Sequence, residues 1–121
     1  MTTTSRHTSV IRAKKVIGTT VKDEAGGTIG KVEDIVLDKQ SNNIMFAVVS
    51  FGGLLGMGEK YHPLPWSLLY YDENDGNYVV TVSKEELKSA PAYTLTDLTQ
   101  GEGVVFRNAV FDHHHTPRYW Q

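Results

Sequence analysis

The chain has no cysteine among its 121 residues, which excludes disulfides, thiolate metal centres and cysteine nucleophiles. An excess of charge of one sign is also lacking: 12 Lys and Arg stand against 14 Asp and Glu, for a net charge of −2. Dedicated nucleic-acid binders carry a basic surplus or stripe, so nucleic acid is not an expected partner. No apolar run approaches the roughly 20 residues that cross a bilayer. The start, MTTTSRHTSVIRAKK, is polar and has no apolar core of the kind a secretion signal needs. These absences point to a cytoplasmic location, no membrane span, and a single domain with one modest core. No Ser-His-Asp set or paired-carboxylate site can be assembled from the residues either. The chain is therefore expected to be no enzyme and to need no cofactor.

What the chain does have is one dense apolar stretch, IMFAVVSFGGLLGMGEKYHPLPW, from Ile44 to Trp66. Ile44 to Phe51 reads as a strand that is apolar on both sides. Ile44, Phe46 and Val48 share one face; Met45, Ala47, Val49 and Phe51 share the other. Such a strand needs cover on both faces. One face fills a small barrel, and the other is expected to be covered by the chain's own tail or by a second subunit. Gly52, Gly53, Gly56 and Gly58 then shape a hairpin tip that carries Leu54, Leu55 and Met57. Exposed apolar residues at a tip are expected to meet a partner, most simply a second copy of the chain, or else to fold back over the mouth of their own barrel. There is no GxxxxGK[ST] pattern and no following helix, which argues against a phosphate cradle. Pro63 and Pro65 cannot donate to a ladder, so the returning strand belongs at an edge. Trp66 is read as a plug for the barrel, and Pro65, Gly30 and the tip glycines as structural residues.

The rest of the chain follows in order. Residues 1–14 read as a flexible arm with a small basic group at its end, Arg12, Lys14 and the adjoining Lys15. Thr19 to Lys22 and Ile29 to Asp38 are expected strands, joined by a loop through Gly26 and Gly27. In the second strand Val32 is even but Ile35 and Leu37 are odd. If all three point inward, a bulge must lie near Glu33 and Asp34. Asn77 to Val82 is a further strand. Ser83-Lys84-Glu85-Glu86 has the form of a capping box, in which the Ser83 hydroxyl and the Glu86 carboxylate both satisfy free N–H groups. A short helix to about Ser89 is stopped by Pro91. Residues 92–121 read as an extension that packs on the barrel or on a partner subunit, with Tyr119 and Trp120 as aromatic docking anchors. Asp112-His113-His114-His115 is the one dense set of possible metal ligands. In an extended chain His113 and His115 point to the same side and could share an ion, while His114 points away.

Three blocks, GKVEDIVLD, VSFGGLLGMGEKYHPLPWSLL and YYDENDGNYVVTVSKEELKSAP, resemble a PRC-barrel domain. This fold is shared by the cytoplasmic part of the photosynthetic reaction centre H subunit and the barrel of a ribosome maturation factor. The chain is most similar to short, stand-alone, soluble bacterial members, and its ending PRYW resembles their tails. The resemblance covers Val16 to Pro91. It implies a mostly β fold: a small PRC-type barrel of about six strands over residues 15–91, with one short helix and a C-terminal packing arm. It also implies a noncatalytic adaptor or assembly module. The expected partners are a second copy, met through the glycine-rich hairpin and the tail, and a further protein not named by these residues. An RNA- or ribosome-associated factor, or a factor for photosynthetic-complex assembly, is the alternative; a stress-response role is equally compatible. A small metal-binding protein using His113 and His115 is the third reading. The H subunit's surface carboxylates assist proton delivery, but IMFAVVSF contains none, so that role does not carry over.

Overall fold

The computed structural model describes residues 10–51, 61–99 and 104–121. Among these residues six strands form one curled sheet: β1 (Thr20–Asp23), β2 (Thr28–Leu37), β3 (Ile44–Phe51), β4 (His62–Pro65), β5 (Leu69–Asp72) and β6 (Asn77–Val80). Their order is β4-β3-β2-β1-β6-β5, antiparallel throughout except for the parallel pair β1 and β6. A 3-10 turn, Trp66–Leu68, carries the chain from one edge strand to the other. The result is a mostly β half-barrel, as the sequence led us to expect. Pro63 and Pro65 lie opposite Val48 and Phe46 on the edge strand β4, where their missing N–H groups cost no ladder bond to a further strand.

The curl is set by irregularities in the ladder. Val32 pairs with Val49 and Asp34 with Val48, so Glu33 is the extra residue of a bulge. This is the bulge that the broken alternation predicts, and it lets Val32 and Ile35 face the same core. A second slip follows: Val36 pairs with Phe46 but Leu37 with Ile44, which leaves Met45 as the extra residue on β3. Met45 therefore joins Phe46 and Val48 on the outer face, whereas strict alternation would place it with Ala47 and Val49. Leu37, expected to point inward with Val32 and Ile35, instead ends β2 beyond this slip and is 60% exposed. Gly30 sits between Val21 of β1 and Phe51 of β3 in the same ladder.

Two separate cores share β3. Inside the half-barrel, Val21, Ile29, Val32, Ala47, Val49, Leu64, Tyr78 and Val80 pack together, closed by Val16 and Leu87. Trp66 packs against this core with its ring edge-on to Tyr78 at 5.6 Å. Outside, Met45, Phe46 and Val48 meet Leu98, Val110 and Phe111, flanked by Tyr61, Tyr93, Leu95, Tyr119 and Trp120. The second face of β3 is thus covered within one chain. Each fully buried apolar side chain in such a layer is worth roughly 1.5–3 kcal/mol, set against the entropy of ordering the segment on the sheet.

The expectation of one short helix gives way to four among the described residues: α1 (Ala13–Val16), α2 (Lys84–Ser89), α3 (Leu95–Thr99) and α4 (Val104–His113). The single turn α1 falls where a flexible arm was expected to end, and it buries Val16 against the barrel. The tail is helical because its apolar residues recur at helical spacing and the start of α3 is capped. Thr94 Oγ1 accepts from the Asp97 N–H to start α3. A two-way backbone bridge between Tyr61 and Tyr93, at 2.8 and 2.9 Å, fixes the start of the tail beside β4.

Candidate interaction site

The tail is held on the sheet by two polar clusters. The first lies at the end of β2. Asp38 is largely buried, and its Oδ1 accepts from the backbone N–H of Gln40 at 2.9 Å, which turns the loop toward β3. Its Oδ2 accepts from the Tyr119 hydroxyl at 2.7 Å and has Arg107 Nη1 at 3.7 Å. The Arg107 guanidinium in turn lies 4.1 Å from the centre of the Trp120 ring. The Tyr119 bond, helped by the loop N–H groups and opposed by burial, holds the Asp38 carboxyl below its ordinary range. Burial and the same bond push Tyr119 up to about 12.

The second cluster joins α2, β4 and the end of α4. His114 has a fully buried side chain whose Nδ1 lies 2.7 Å from Glu86 Oε2. His113 places Nε2 3.3 Å from the Glu86 carbonyl oxygen, and the two imidazole rings stack edge-on at 4.8 Å. His62 of β4 is close enough for its charge state to be coupled to that of His114. Burial lowers the pKa of both His62 and His114; Glu86 pulls His114 back upward without cancelling that effect. Glu86 was expected to complete a capping box. The Ser83 hydroxyl does accept from the Glu86 N–H at 3.0 Å, but the Glu86 carboxylate is engaged with His114.

Between the end of β2, its following loop and helices α3 and α4 lies a cleft of about 620 Å³. Leu37, Met45 and Leu98 supply apolar lining; Asp34, Lys39 and Arg107 are among the charged groups around it. The carboxylates Asp34 and Asp38 balance the cations Lys39 and Arg107, so the cleft has no excess of charge.

The residues singled out from the sequence fare differently. Tyr119 and Trp120 are half-buried against Phe111, at 5.9 and 4.7 Å between ring centres, and serve as anchors within the chain itself. His113 and His115 do not form the extended pair that the sequence suggested. His113 closes α4, and His115 is exposed in a positive-φ turn just beyond it. Among the described residues no group of three or more potential ligands is placed to hold a metal ion. His114, set aside in the sequence because it points away from its neighbours, is the buried and engaged member. Its signal was the return of the chain to apolar company at Val110 and Phe111, one helical turn earlier. Leu54, Leu55, Met57, Gly52, Gly53, Gly56 and Gly58 lie outside the described residues. Among the described residues no helix is long and apolar enough to cross a membrane.

The family model for the PRC-barrel domain matches residues 9–87, well over half of the chain, and the chain belongs to that family. No curated protein matches it. The matched stretch contains all six strands and most of α2, whereas α3 and α4 follow it. PRC-barrel domains are a kind of protein-interaction and assembly module.

Proposed function

We propose that this chain is a noncatalytic interaction module that docks a protein partner at the cleft beside Leu37. The observation that carries the reading is the exposure of Leu37, a leucine set 60% open beside an apolar cleft with charges around it. Interfaces of this anatomy combine an apolar centre with a polar rim. The acid–base pairs Asp38 with Arg107 and Glu86 with His114 hold the tail in place, which favours a structural over a catalytic use. The balanced charge of the cleft favours a protein over RNA.

The proposed first partner is a second copy of the chain. The tail is already spent on its own sheet, so pairing would draw on the cleft and on the hairpin residues Leu54, Leu55 and Met57. Light scattering behind size-exclusion chromatography tests this with the wild type, Leu37→Glu, and the triple serine variant of the hairpin. A dimer that Leu37→Glu reduces to monomer supports the cleft; a dimer that only the triple variant dissolves assigns the contact to the hairpin instead. A photo-crosslinking residue at position 37 tests docking of a different protein in the native host. A discrete adduct is expected, and absence of any adduct together with a strict monomer would remove the docking reading.

A further inference from the structure

The Glu86–His114 contact has a consequence that depends on which ring nitrogen carries the proton. An ionised carboxylate can only accept, so His114 Nδ1 donates to Glu86 Oε2 and Nε2 is the bare nitrogen. Nε2 is buried and has no hydrogen-bond partner. A second proton would therefore arrive at a buried site with no acceptor among the described residues. The charged groups around it do not remove the difficulty. On α2 the near carboxylate, Glu86, is already used by Nδ1, and the same helix carries Lys84, Glu85 and Lys88. From β4 comes His62, and from its own segment come His113 and His115, each adding repulsion once protonated. Asp112, the remaining acid nearby in sequence, is paired with Arg118 at 2.6 Å.

We propose that the C-terminal segment is a proton-gated cover: in mild acid His114 takes its second proton only by leaving its seat, and residues 104–121 lift from β3 while the half-barrel stays folded. The opening is local because the two cores share the strand β3 but no side chain, and the apolar residues of 104–121 that are buried against the sheet, Val110 and Phe111, belong to the outer one. Release uncovers Met45, Phe46 and Val48, an apolar face of the central strand, and so converts a closed surface into one able to receive a partner. The depressed basicity of His62 and His114 agrees with this direction, since the open segment binds protons that the closed one refuses.

Hydrogen–deuterium exchange of the full chain at pH 7.5 and pH 5.0, normalised for intrinsic rates, tests the inference. Peptides from 104–121 are expected to lose at least about ten-fold in protection at pH 5.0, with peptides from 20–37 unchanged. His114→Asn keeps a donor near the Nδ1 position but cannot be charged, and it should hold the segment closed at both pH values. Equal loss across the whole chain, no loss at all, or release of the Asn variant like that of the wild type would each overturn the proposal. Should the Asn variant fold poorly, an NMR titration of the wild-type imidazoles decides: His114 titrating well below ordinary histidines supports the gate, and titration in the ordinary range refutes it.

Discussion

The Tyr119 hydroxyl donates a 2.7 Å hydrogen bond to the Asp38 carboxylate, tying together positions 81 residues apart. It fastens the last residues of the tail to the first turn after β2, and its acceptor is charged. Hydrogen bonds to charged groups contribute more than neutral ones, so Tyr119→Phe should cost about 1–2 kcal/mol by urea denaturation, discounted for partial exposure. The pH dependence has two limits. Asp38 is depressed from an ordinary 3.8, so its share of stability is complete above that value and is lost as pH falls below it. Tyr119 is raised from an ordinary 10.0 to about 12, so its share is complete below 10 and is lost as pH climbs toward 12. The gap between wild type and Tyr119→Phe should be flat through neutrality and shrink at both ends.

Phe111 is the hub of the outer layer, with Phe46, Tyr119 and Trp120 ring centres at 6.1, 5.9 and 4.7 Å. Phe111→Ala should cost about 3–4 kcal/mol, at the level of other buried aromatic truncations. Because those contacts all belong to the outer core, the loss should appear as premature exposure of the tail. Trp120 fluorescence should shift to the red at lower urea than the far-ultraviolet signal of the sheet.

The sheet was largely legible in the sequence because its rules are local. Two prolines named the edge strand, and the misplaced parity of Val32 against Ile35 located the bulge near Glu33 and Asp34. The second slip, at Met45, was invisible because both neighbours are apolar and alternation carries no information there. That same slip ends the inward pattern before Leu37, and with it the cleft was missed. The tail was misjudged for another reason. Phe106 and Val110 are four apart, as are Arg107 and Phe111, a helical spacing that the glycines at 101 and 103 overshadow. Once α4 is a helix, the three histidines fan around its end, and the extended geometry that paired His113 with His115 no longer applies.

Ser83 and Glu86 offer a separable pair of changes. Ser83→Ala removes the N-cap of α2 and should cost about 1 kcal/mol, leaving the tail's response to acid as it was. Glu86→Ala keeps the backbone cap but removes the charged acceptor that His114 uses. With Glu86 32% exposed, its loss belongs at the low end of the range for charged bonds, about 1.5 kcal/mol. That cost should fall on exchange protection of residues 104–121 before it is seen in the sheet.

His115 adopts φ +52 immediately after α4, at the position where helices ending this way favour glycine. The backbone bonds identify the ending: His115 N–H donates to the Asp112 carbonyl at 3.1 Å and Thr116 N–H to the Phe111 carbonyl at 2.9 Å. A side chain in this left-handed conformation pays a steric cost that glycine does not, and the exposed imidazole makes no hydrogen bond among the described residues to set against it. His115→Gly should therefore raise stability by about 0.5–1 kcal/mol despite the added freedom of the unfolded chain. His115→Val, β-branched at the same φ, should lower it. The opposite order in thermal melts of the two variants would mean that the turn is not held in this conformation, and that the seat of His114 one residue earlier is built differently.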